Sequence, residues 1–300
     1  MSKKIMITGS CGLIGGSFIR KMIYEKQPYS ISSLDKVDSN NPNSVYMHKN
    51  HAFQIANVCD PHIINTIFQF EQPEIVIHAA EESCNQELMI SSNIQGTKSV
   101  IEACQKNNVQ KIIYLSSDKV YGSSTHNTYR EDEESNLNPN SLFAISKLSS
   151  ELLIKNSGLN YNILRLSNNF GPRQAVSKLI PKTIKSILNN SEIQVSEQSR
   201  QWIHVNDTCD AIQTVIENGI NNQIYNVSGG EYSNIEIVQK ICNVMSSGHN
   251  LIKAVNLPGD RRRATNNELL KKLNWKLNQK FNDSIPFVVE WFQNNKWIMK

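Results

Sequence analysis

Short apolar segments alternate with amphipathic ones along the first half of the chain. The segment KIMIT has the composition of a buried strand, and GLIGGSFIRKMIY, which follows it closely, places apolar residues at the spacing of a helix face. Further strands are predicted at SISSLD, HAFQIAN, EIVIHAA, KIIYLSS and YNILRLS, and further helices at PHIINTIFQF, NIQGTKSVIEACQKN and SLFAISKLSSELLIKN. Strands and helices in this order predict an α/β fold with a doubly wound parallel sheet.

The pattern loosens from about Ser167 onward. Helices are predicted at KLIPKTIKSILN, DTCDAIQTVIEN and NIEIVQKICNVM, joined by short strands and loops. We therefore expect a nucleotide-binding domain over residues 1–166 and a smaller lobe made mainly of residues 167–300, with some segments interleaved. That lobe would close over the carboxyl ends of the strands, where open α/β sheets bind ligands, and would hold the substrate.

A glycine-rich segment, ITGSCGLIGGSF, joins the first predicted strand to the first helix. Gly9, Gly12 and Gly15 are spaced as a Rossmann-like dinucleotide site requires, since the backbone there must turn tightly and approach a pyrophosphate at a helix N-terminus. Asp35 ends the second strand, where a carboxylate contacts the adenosine ribose and repels a 2′-phosphate. NAD is the predicted cofactor, although Lys36 keeps NADP possible.

Composition excludes several other classes of protein. The 300 residues carry a net charge of +4, which is too small to indicate a nucleic-acid partner. The six cysteines show no metal-binding spacing, and no signal peptide or membrane span is visible, so we expect a cytoplasmic protein with reduced thiols, no metal and no membrane partner. His78 and His204 stand alone and are predicted to be packed or hydrogen-bonded histidines.

Several segments together resemble the extended short-chain dehydrogenase/reductases, most closely the nucleotide-sugar 4,6-dehydratases of the dTDP-glucose type. They are TGSCGLIG, VIHAAEES, NIQGT, SSDKVYG, AISK, LRLSNNFGPRQ, KLIPKTI, RQWIHVNDTCDAI, YNVSGG and PGDRRR, and they span nearly the whole chain. The resemblance implies an NAD enzyme acting on a UDP- or dTDP-hexose. It also implies a homodimer built on the helices around residues 93–107 and 141–157.

The resemblance also implies roles for individual positions. Residues that would bind or support the cofactor are Gly9, Gly12, Leu13, Ile14, Gly15, Asp35, Lys36, Asn57, Val58, Ala79, Ala80, Asn93 and Lys147. Residues that would bind the nucleotide sugar are Glu82, Ser83, Asn168, Lys178, Leu179, Arg200 and Arg261. Arginine suits phosphate because its planar fork matches two oxygens and keeps its charge.

The catalytic positions depart from the dTDP-glucose pattern. Ser117, Asp118 and Lys119 replace Thr-Asp-Glu, so that Ser117 would contact O4, Asp118 would be the acid, and Lys119 would replace the glutamate base. The Asp-Lys pair resembles the inverting UDP-N-acetylglucosamine 4,6-dehydratases, which makes that sugar nucleotide the favoured substrate and C5 inversion an open outcome. Lysine is a base only when neutral, which burial and Lys147 would favour and Asp118 would oppose.

Phe143 stands where the tyrosine of the Y-x-x-x-K helix is expected, four residues before Lys147. Phenylalanine exchanges no proton, so the tyrosine's role would pass to Asp118, Lys147 or a water. Some of the inverting group also lack this tyrosine, which keeps a 4,6-dehydratase the leading hypothesis. The alternatives are a 4-epimerase or 4-keto-sugar epimerase/reductase, an introduced substitution at Phe143, and an inactive nucleotide-sugar binding protein.

Overall fold

The protein is described by a computed structural model over residues 2–37, 51–122, 137–255 and 265–299. Its strands are β1 (Lys3–Thr8), β2 (Tyr29–Asp35), β3 (His51–Ile55), β4 (Ile75–His78), β5 (Lys111–Ser117), β6 (Tyr161–Leu166), β7 (Asn168–Phe170), β8 (Ile193–Val195), β9 (Ser199–His204), β10 (Gln223–Val227), β11 (Gly230–Ser233) and β12 (Ile252–Ala254). Its α-helices are α1 (Leu13–Tyr24), α2 (Pro61–Glu71), α3 (Gln86–Met89), α4 (Gly96–Lys106), α5 (Leu142–Lys155), α6 (Leu179–Leu188), α7 (Val205–Asn218), α8 (Asn234–Met245), α9 (Glu268–Lys271) and α10 (Phe281–Asn294).

Seven parallel strands form the central sheet in the order β3-β2-β1-β4-β5-β6-β10. The chain winds outward in one direction from β1 to β3 and in the other from β4 to β10. This reversal leaves a crevice at the carboxyl ends of β1 and β4, which is where such sheets bind ligands. The predicted Rossmann-like doubly wound parallel sheet is confirmed.

Alternate side chains of the strands supply two cores, one on each face of the sheet. Ile5 and Ile7 of β1 pack in a cluster that includes α1 and α7, whereas Met6 between them packs in the cluster that includes α2 and α4. Because both faces are covered by helices, the inner strands β1, β4 and β5 are apolar on both sides, which is why they appear in the sequence as short continuous apolar segments.

The smaller lobe has a core of its own and contributes to the sheet. Helices α6, α8 and α10 pack with β7 to β9 around Phe170, Ile184, Ile241 and Val288. Strand β10 is the last strand of the main sheet, and α7 packs on a face of that sheet. Helix α10 was missed in the sequence because Pro286, a residue that usually interrupts helices, lies inside it.

The two histidines singled out in the sequence are held in fixed contacts. Nδ1 of His78 lies 2.7 Å from the hydroxyl of Thr8, and Nε2 lies 3.0 Å from that of Thr97. Nδ1 of His204 accepts a hydrogen bond from the backbone N–H of Asn206 and thereby caps α7. Burial lowers the pKa of His78, with a further contribution from Lys147, to about 3, and burial lowers the pKa of His204 to about 4. No described helix has the length and apolarity needed to span a membrane.

His204→Asn should make the protein less sensitive to acid. The unfolded chain binds a proton at this histidine below pH 6.5, whereas the folded chain binds it only below about 4. The contribution of His204 to the free energy of unfolding is therefore fully present above pH 6.5. It is lost as the pH falls, by at most about 1.4 kcal/mol per pH unit. Asparagine preserves the cap but has no proton to bind. Denaturant unfolding at a series of pH values should show that the free energy of unfolding of His204→Asn depends less steeply on pH than that of wild type. The control His62→Asn, at an exposed residue, should show the pH dependence of wild type. Equal pH dependence in all three proteins would refute the assignment.

Candidate active site

A cavity of about 950 Å³ opens at the carboxyl ends of the central strands. One half is bounded by the loop after β1, the start of α1 and the segment after β4. The other half is bounded by the segments after β6 and before α6, by β9, and by the 3₁₀ turn Lys296–Met299. The predicted site residues on its wall are Gly9, Gly12, Leu13, Ile14, Gly15, Ala79, Ser83, Ser117, Lys119, Phe143, Asn168, Lys178, Leu179 and Arg200.

The glycine loop is shaped for a group that approaches the backbone closely. Gly9 has a φ of +71°, and a Cβ added there would lie 2.5 Å from the backbone nitrogen of Ala80. A Cβ on Gly15 would lie 2.5 Å from the carbonyl oxygen of Gly9. No side chain caps the N-terminus of α1 at Gly12. Because the first-turn N–H groups of this helix are at the cavity, the loop fits the pyrophosphate of a dinucleotide.

Asp35 holds the glycine loop at the end of β2. Its Oδ2 accepts a hydrogen bond of 2.9 Å from the backbone N–H of Cys11, and its Oδ1 accepts one from that of Val37. The neighbouring Lys36 forms an ion pair of 3.3 Å with Oε2 of Glu82. The positive charge that kept NADP possible is thus partly neutralised by a carboxylate from the other side of the crevice.

The Glu82 side chain does not line the cavity, although the sequence analysis assigned it to the substrate. Its Oε1 accepts hydrogen bonds from the backbone N–H groups of Ser83, Cys84 and Asn85. Burial raises the pKa of Glu82, but these N–H groups and Lys36 outweigh it, so the net shift is downward. Glu82 therefore folds its own loop. The carboxylate on the wall belongs to Glu81, which the sequence analysis missed.

Four other predicted cofactor residues lie outside the wall. Asn57 and Val58 follow β3, outside the cavity, and Oδ1 of Asn57 accepts a hydrogen bond from Cys59 N–H. Asn93 is buried and joins the loop after β4 to α5, because it exchanges hydrogen bonds with the backbone of Glu82 and donates one to the Ser146 hydroxyl. Ala80, unlike Ala79, also lies outside the wall.

The Ser117, Asp118 and Lys119 triplet lies at the end of β5. The Ser117 hydroxyl accepts a hydrogen bond of 3.2 Å from the Lys119 N–H and so caps a 3₁₀ turn that begins at Asp118. Ser117 and Lys119 line the cavity, whereas Asp118 is buried with Oδ1 at 3.4 Å from the Ser117 hydroxyl. Asp118 is thus placed one layer behind the wall.

Lys147 and Phe143 lie one turn apart on α5, beside the triplet. Nζ of Lys147 donates hydrogen bonds of 2.5 Å to the carbonyl oxygen of Leu115 and 3.1 Å to Oε2 of Glu81. Burial lowers the pKa of Lys147, but Tyr114 and Glu81 raise it more, so the lysine stays charged. Nζ of Lys119 lies 5.1 Å from the centre of the Phe143 ring, and Nζ of Lys147 lies 6.0 Å from it.

The far half of the cavity is polar. Arg200 donates a hydrogen bond of 2.9 Å to Oε1 of Gln198, and Lys178 lies 3.4 Å from the Ser83 hydroxyl. Three buried polar atoms of wall residues have no hydrogen-bond partner among the described residues, namely Oγ of Ser167, Oε1 of Gln174 and Nε1 of Trp202. Buried polar groups without partners are uncommon and costly, which favours a polar ligand here. Arg261, the remaining predicted residue, lies outside the described residues.

Comparisons with known proteins agree with this architecture. Residues 5–228 match the model of the NAD-dependent epimerase/dehydratase family. The chain is 30% identical over 341 aligned residues to dTDP-glucose 4,6-dehydratase 1 of Escherichia coli (strain K12), covering 98% of this chain and 94% of that protein. It is also similar to the structure of dTDP-glucose 4,6-dehydratase from Bacillus anthracis in complex with NAD, with a TM-score of 0.90, 28% identity and 98% of each chain covered. The UDP-glucose 4-epimerase of Thermotoga maritima, at 22% identity and a TM-score of 0.87 over 98% of this chain and 99% of that one, shares the fold.

Proposed function

Because this chain belongs to the NAD-dependent epimerase/dehydratase family, we propose that it is a nucleotide-sugar 4,6-dehydratase. NAD is the cofactor of the family, and the glycine loop and Asp35 would hold it. The proposal is carried by one observation, the Ser117-Asp118-Lys119 triplet at the end of β5 beside a charged, buried Lys147. This arrangement supplies a hydroxyl, a carboxyl and an amine within one corner of the cavity.

Dehydration across C5 and C6 of a hexose needs proton transfers that these residues can perform. NAD, when bound, takes up a hydride from C4 and returns it to C6. Ser117 would hydrogen-bond O4 and orient that carbon, since its hydroxyl is on the wall. Lys119 would take the C5 proton, which a C4 ketone makes acidic, and Asp118 would protonate the departing C6 oxygen. Because Asp118 lies behind the Ser117 hydroxyl, the Ser117 side chain would have to move for the Asp118 carboxyl to reach the cavity.

The substrate is proposed to be a UDP- or dTDP-hexose. Arg200, Lys178 and Asn168 lie on the wall away from the glycine loop, where they would hold the sugar-nucleotide pyrophosphate. The Asp118-Lys119 pair favours UDP-N-acetylglucosamine and would permit inversion at C5. The names of the Escherichia coli and Bacillus anthracis proteins make dTDP-glucose the next substrate to test, followed by UDP-glucose.

A homodimer is part of the proposal. Ile145 and Leu152 of α5 and Leu88 and Ile90 of the helical segment before α4 are exposed apolar side chains, and they lie on or beside the helices expected to form the interface. Burial of such a surface against a second copy would remove it from water. Sedimentation velocity should therefore show a dimer, and a monomer at micromolar concentration would reject this part of the proposal.

Mass spectrometry of the reaction products tests the activity. The purified protein, with and without added NAD, is incubated separately with UDP-N-acetylglucosamine, UDP-glucose and dTDP-glucose. We expect one substrate to yield a product lighter by one water, with no net formation of NADH. Steady consumption of NAD(P)H with a 4-keto sugar would indicate the epimerase/reductase alternative, and tight binding without any product would indicate a binding protein.

A further inference from the structure

Glu81 is a carboxylate on the cavity wall that the mechanism above does not use. It lies just after β4, and its side chain is 41% exposed. Its Oε2 forms an ion pair of 3.1 Å with Nζ of Lys147, whose side chain is only 2% exposed. Among the described residues, Glu81 is the only carboxylate that lines the cavity.

Lys147 is buried behind the cavity wall, and its ammonium group is held by Leu115, Tyr114 and Glu81. The carbonyl oxygen of Leu115 accepts one hydrogen bond from Nζ, and the Tyr114 ring, whose centre is 4.5 Å away, covers another side. Oε2 of Glu81, which is on the wall, accepts another hydrogen bond from Nζ. An anionic oxygen that faces a substrate and is paired with a buried ammonium group is the same arrangement that a tyrosinate next to this lysine would provide.

The other acidic groups near this corner are engaged elsewhere. Asp118 is buried behind the wall, and its proposed role as acid requires it to begin the cycle protonated. Glu82 uses Oε1 for three backbone N–H groups and Oε2 for Lys36. Phe143 fills the wall near both lysines and exchanges no proton.

From this geometry we infer that Glu81 accepts the proton of the substrate's C4 hydroxyl and so replaces the missing tyrosine. The O4–H bond breaks, its electrons form the C4=O bond, and the proton passes to a carboxylate oxygen of Glu81 while the C4 hydride leaves to NAD. Lys147 keeps its proton throughout. Lys119 returns a proton to C5 as hydride reaches C6. Glu81 later releases its proton to water, and Asp118, which loses one to the departing C6 oxygen, takes one from water, so substrate becomes the 4-keto-6-deoxy sugar plus one water. The inference rests on the proposed dehydratase function.

The test compares Glu81→Gln with wild type and with Glu290→Gln, a control on the exposed face of α10. Each protein is mixed, under single-turnover conditions, with the substrate that the wild-type protein dehydrates, and the rate of oxidation at C4 is measured. We expect Glu81→Gln to slow this step by about 10²–10³-fold, the usual effect of removing a general base. The affinity for UDP (or for dTDP, if wild type uses the dTDP sugar), measured by calorimetry, should stay unchanged, and circular dichroism should show that the variant is folded. Glu290→Gln should match wild type in every measurement.

A second variant distinguishes proton transfer from positioning. Adding Phe143→Tyr to Glu81→Gln restores a group that can exchange a proton beside Lys147. We expect the double variant to oxidise C4 at least about tenfold faster than Glu81→Gln does. No recovery, or a loss of nucleotide affinity in Glu81→Gln, would overturn the role of proton acceptor. Oxidation at the wild-type rate in Glu81→Gln would overturn it while leaving the dehydratase function intact. Failure of that function is distinguishable, since the wild-type protein would then form no dehydrated product.

Discussion

The Lys119→Met variant should dehydrate the nucleotide sugar about 10²–10⁴-fold more slowly than the wild-type protein. Lys119 lines the cavity at the end of β5, and its Nζ lies 5.1 Å from the Phe143 ring. Methionine preserves most of the length and apolar volume of the side chain but cannot accept a proton. Oxidation at C4 should continue, because the hydroxyl of Ser117 and the Glu81–Lys147 pair are unchanged.

Isotope incorporation measures the affected step directly. In heavy water the wild-type product should carry solvent deuterium at C5, whereas Lys119→Met should accumulate the oxidised sugar together with reduced cofactor. Lys119→Glu places at this position the residue type that the dTDP-glucose pattern has there, so it should dehydrate faster than Lys119→Met. Lys272→Met, at an exposed lysine beyond α9, should behave as wild type.

Dehydration by Lys119→Met at the wild-type rate would show that another group removes the C5 proton. A loss of C4 oxidation along with dehydration would instead show that Lys119 acts before the C5 step. Together, the rates of C4 oxidation and of dehydration distinguish a Lys119 that acts as the base at C5 from a Lys119 that only stabilises the cavity next to Phe143.

The fold followed from local patterns in the sequence. Strands such as β1, β4 and β5 are short apolar segments bounded by polar residues, and Ile5 and Met6 pack on opposite faces of the sheet because side chains alternate along a strand. Gly9 was found from the spacing of the glycines after the first predicted strand. The triplet Ser117 to Lys119 was found from the resemblance to the nucleotide-sugar 4,6-dehydratases.

Contacts between distant residues could not be predicted in this way. Glu81 and Glu82 are adjacent, and which carboxylate faces the cavity depends on the turn after β4 and on its hydrogen bonds to Asn93. The partner of Glu81 is Lys147, 66 residues further along the chain. Trp297 reaches the wall from the last described turn, beyond α10, and no sequence pattern indicated that approach.

A buried ion pair behind the triplet is another contact that the sequence did not indicate. Arg165 of β6 and Glu151 of α5 each have side chains that are 1% exposed, with an N–O distance of 2.7 Å. Glu151 also accepts a hydrogen bond from the hydroxyl of Ser116, and Arg165 donates to that of Tyr121. Burial lowers the pKa of Arg165, but Glu151 and Tyr121 outweigh it and the net shift is upward, so the arginine stays charged.

Glu151→Gln should therefore lower the free energy of unfolding by about 3–5 kcal/mol, because the arginine charge would remain buried without its carboxylate. Denaturant unfolding at a fixed protein concentration measures this loss, since a dimer's stability depends on concentration. The double variant Glu151→Leu, Arg165→Met removes both charges and should be more stable than Glu151→Gln. A cost below about 1 kcal/mol for Glu151→Gln would mean that the pair behaves as an exposed one.

The same variant should also reduce activity, because the ion pair positions the catalytic residues. Glu151 lies one turn after Lys147 on α5, and its partner Ser116 and the Arg165 partner Tyr121 flank the Ser117 to Lys119 triplet. Loss of the carboxylate frees α5 from β5 and β6 at the point where Lys147 meets Leu115. We expect kcat to fall while the affinity for UDP, which depends on the far half of the cavity, changes little. If kcat and the affinity for UDP fell together, the ion pair would be needed for the structure of the whole cavity and not only for the corner around Lys147.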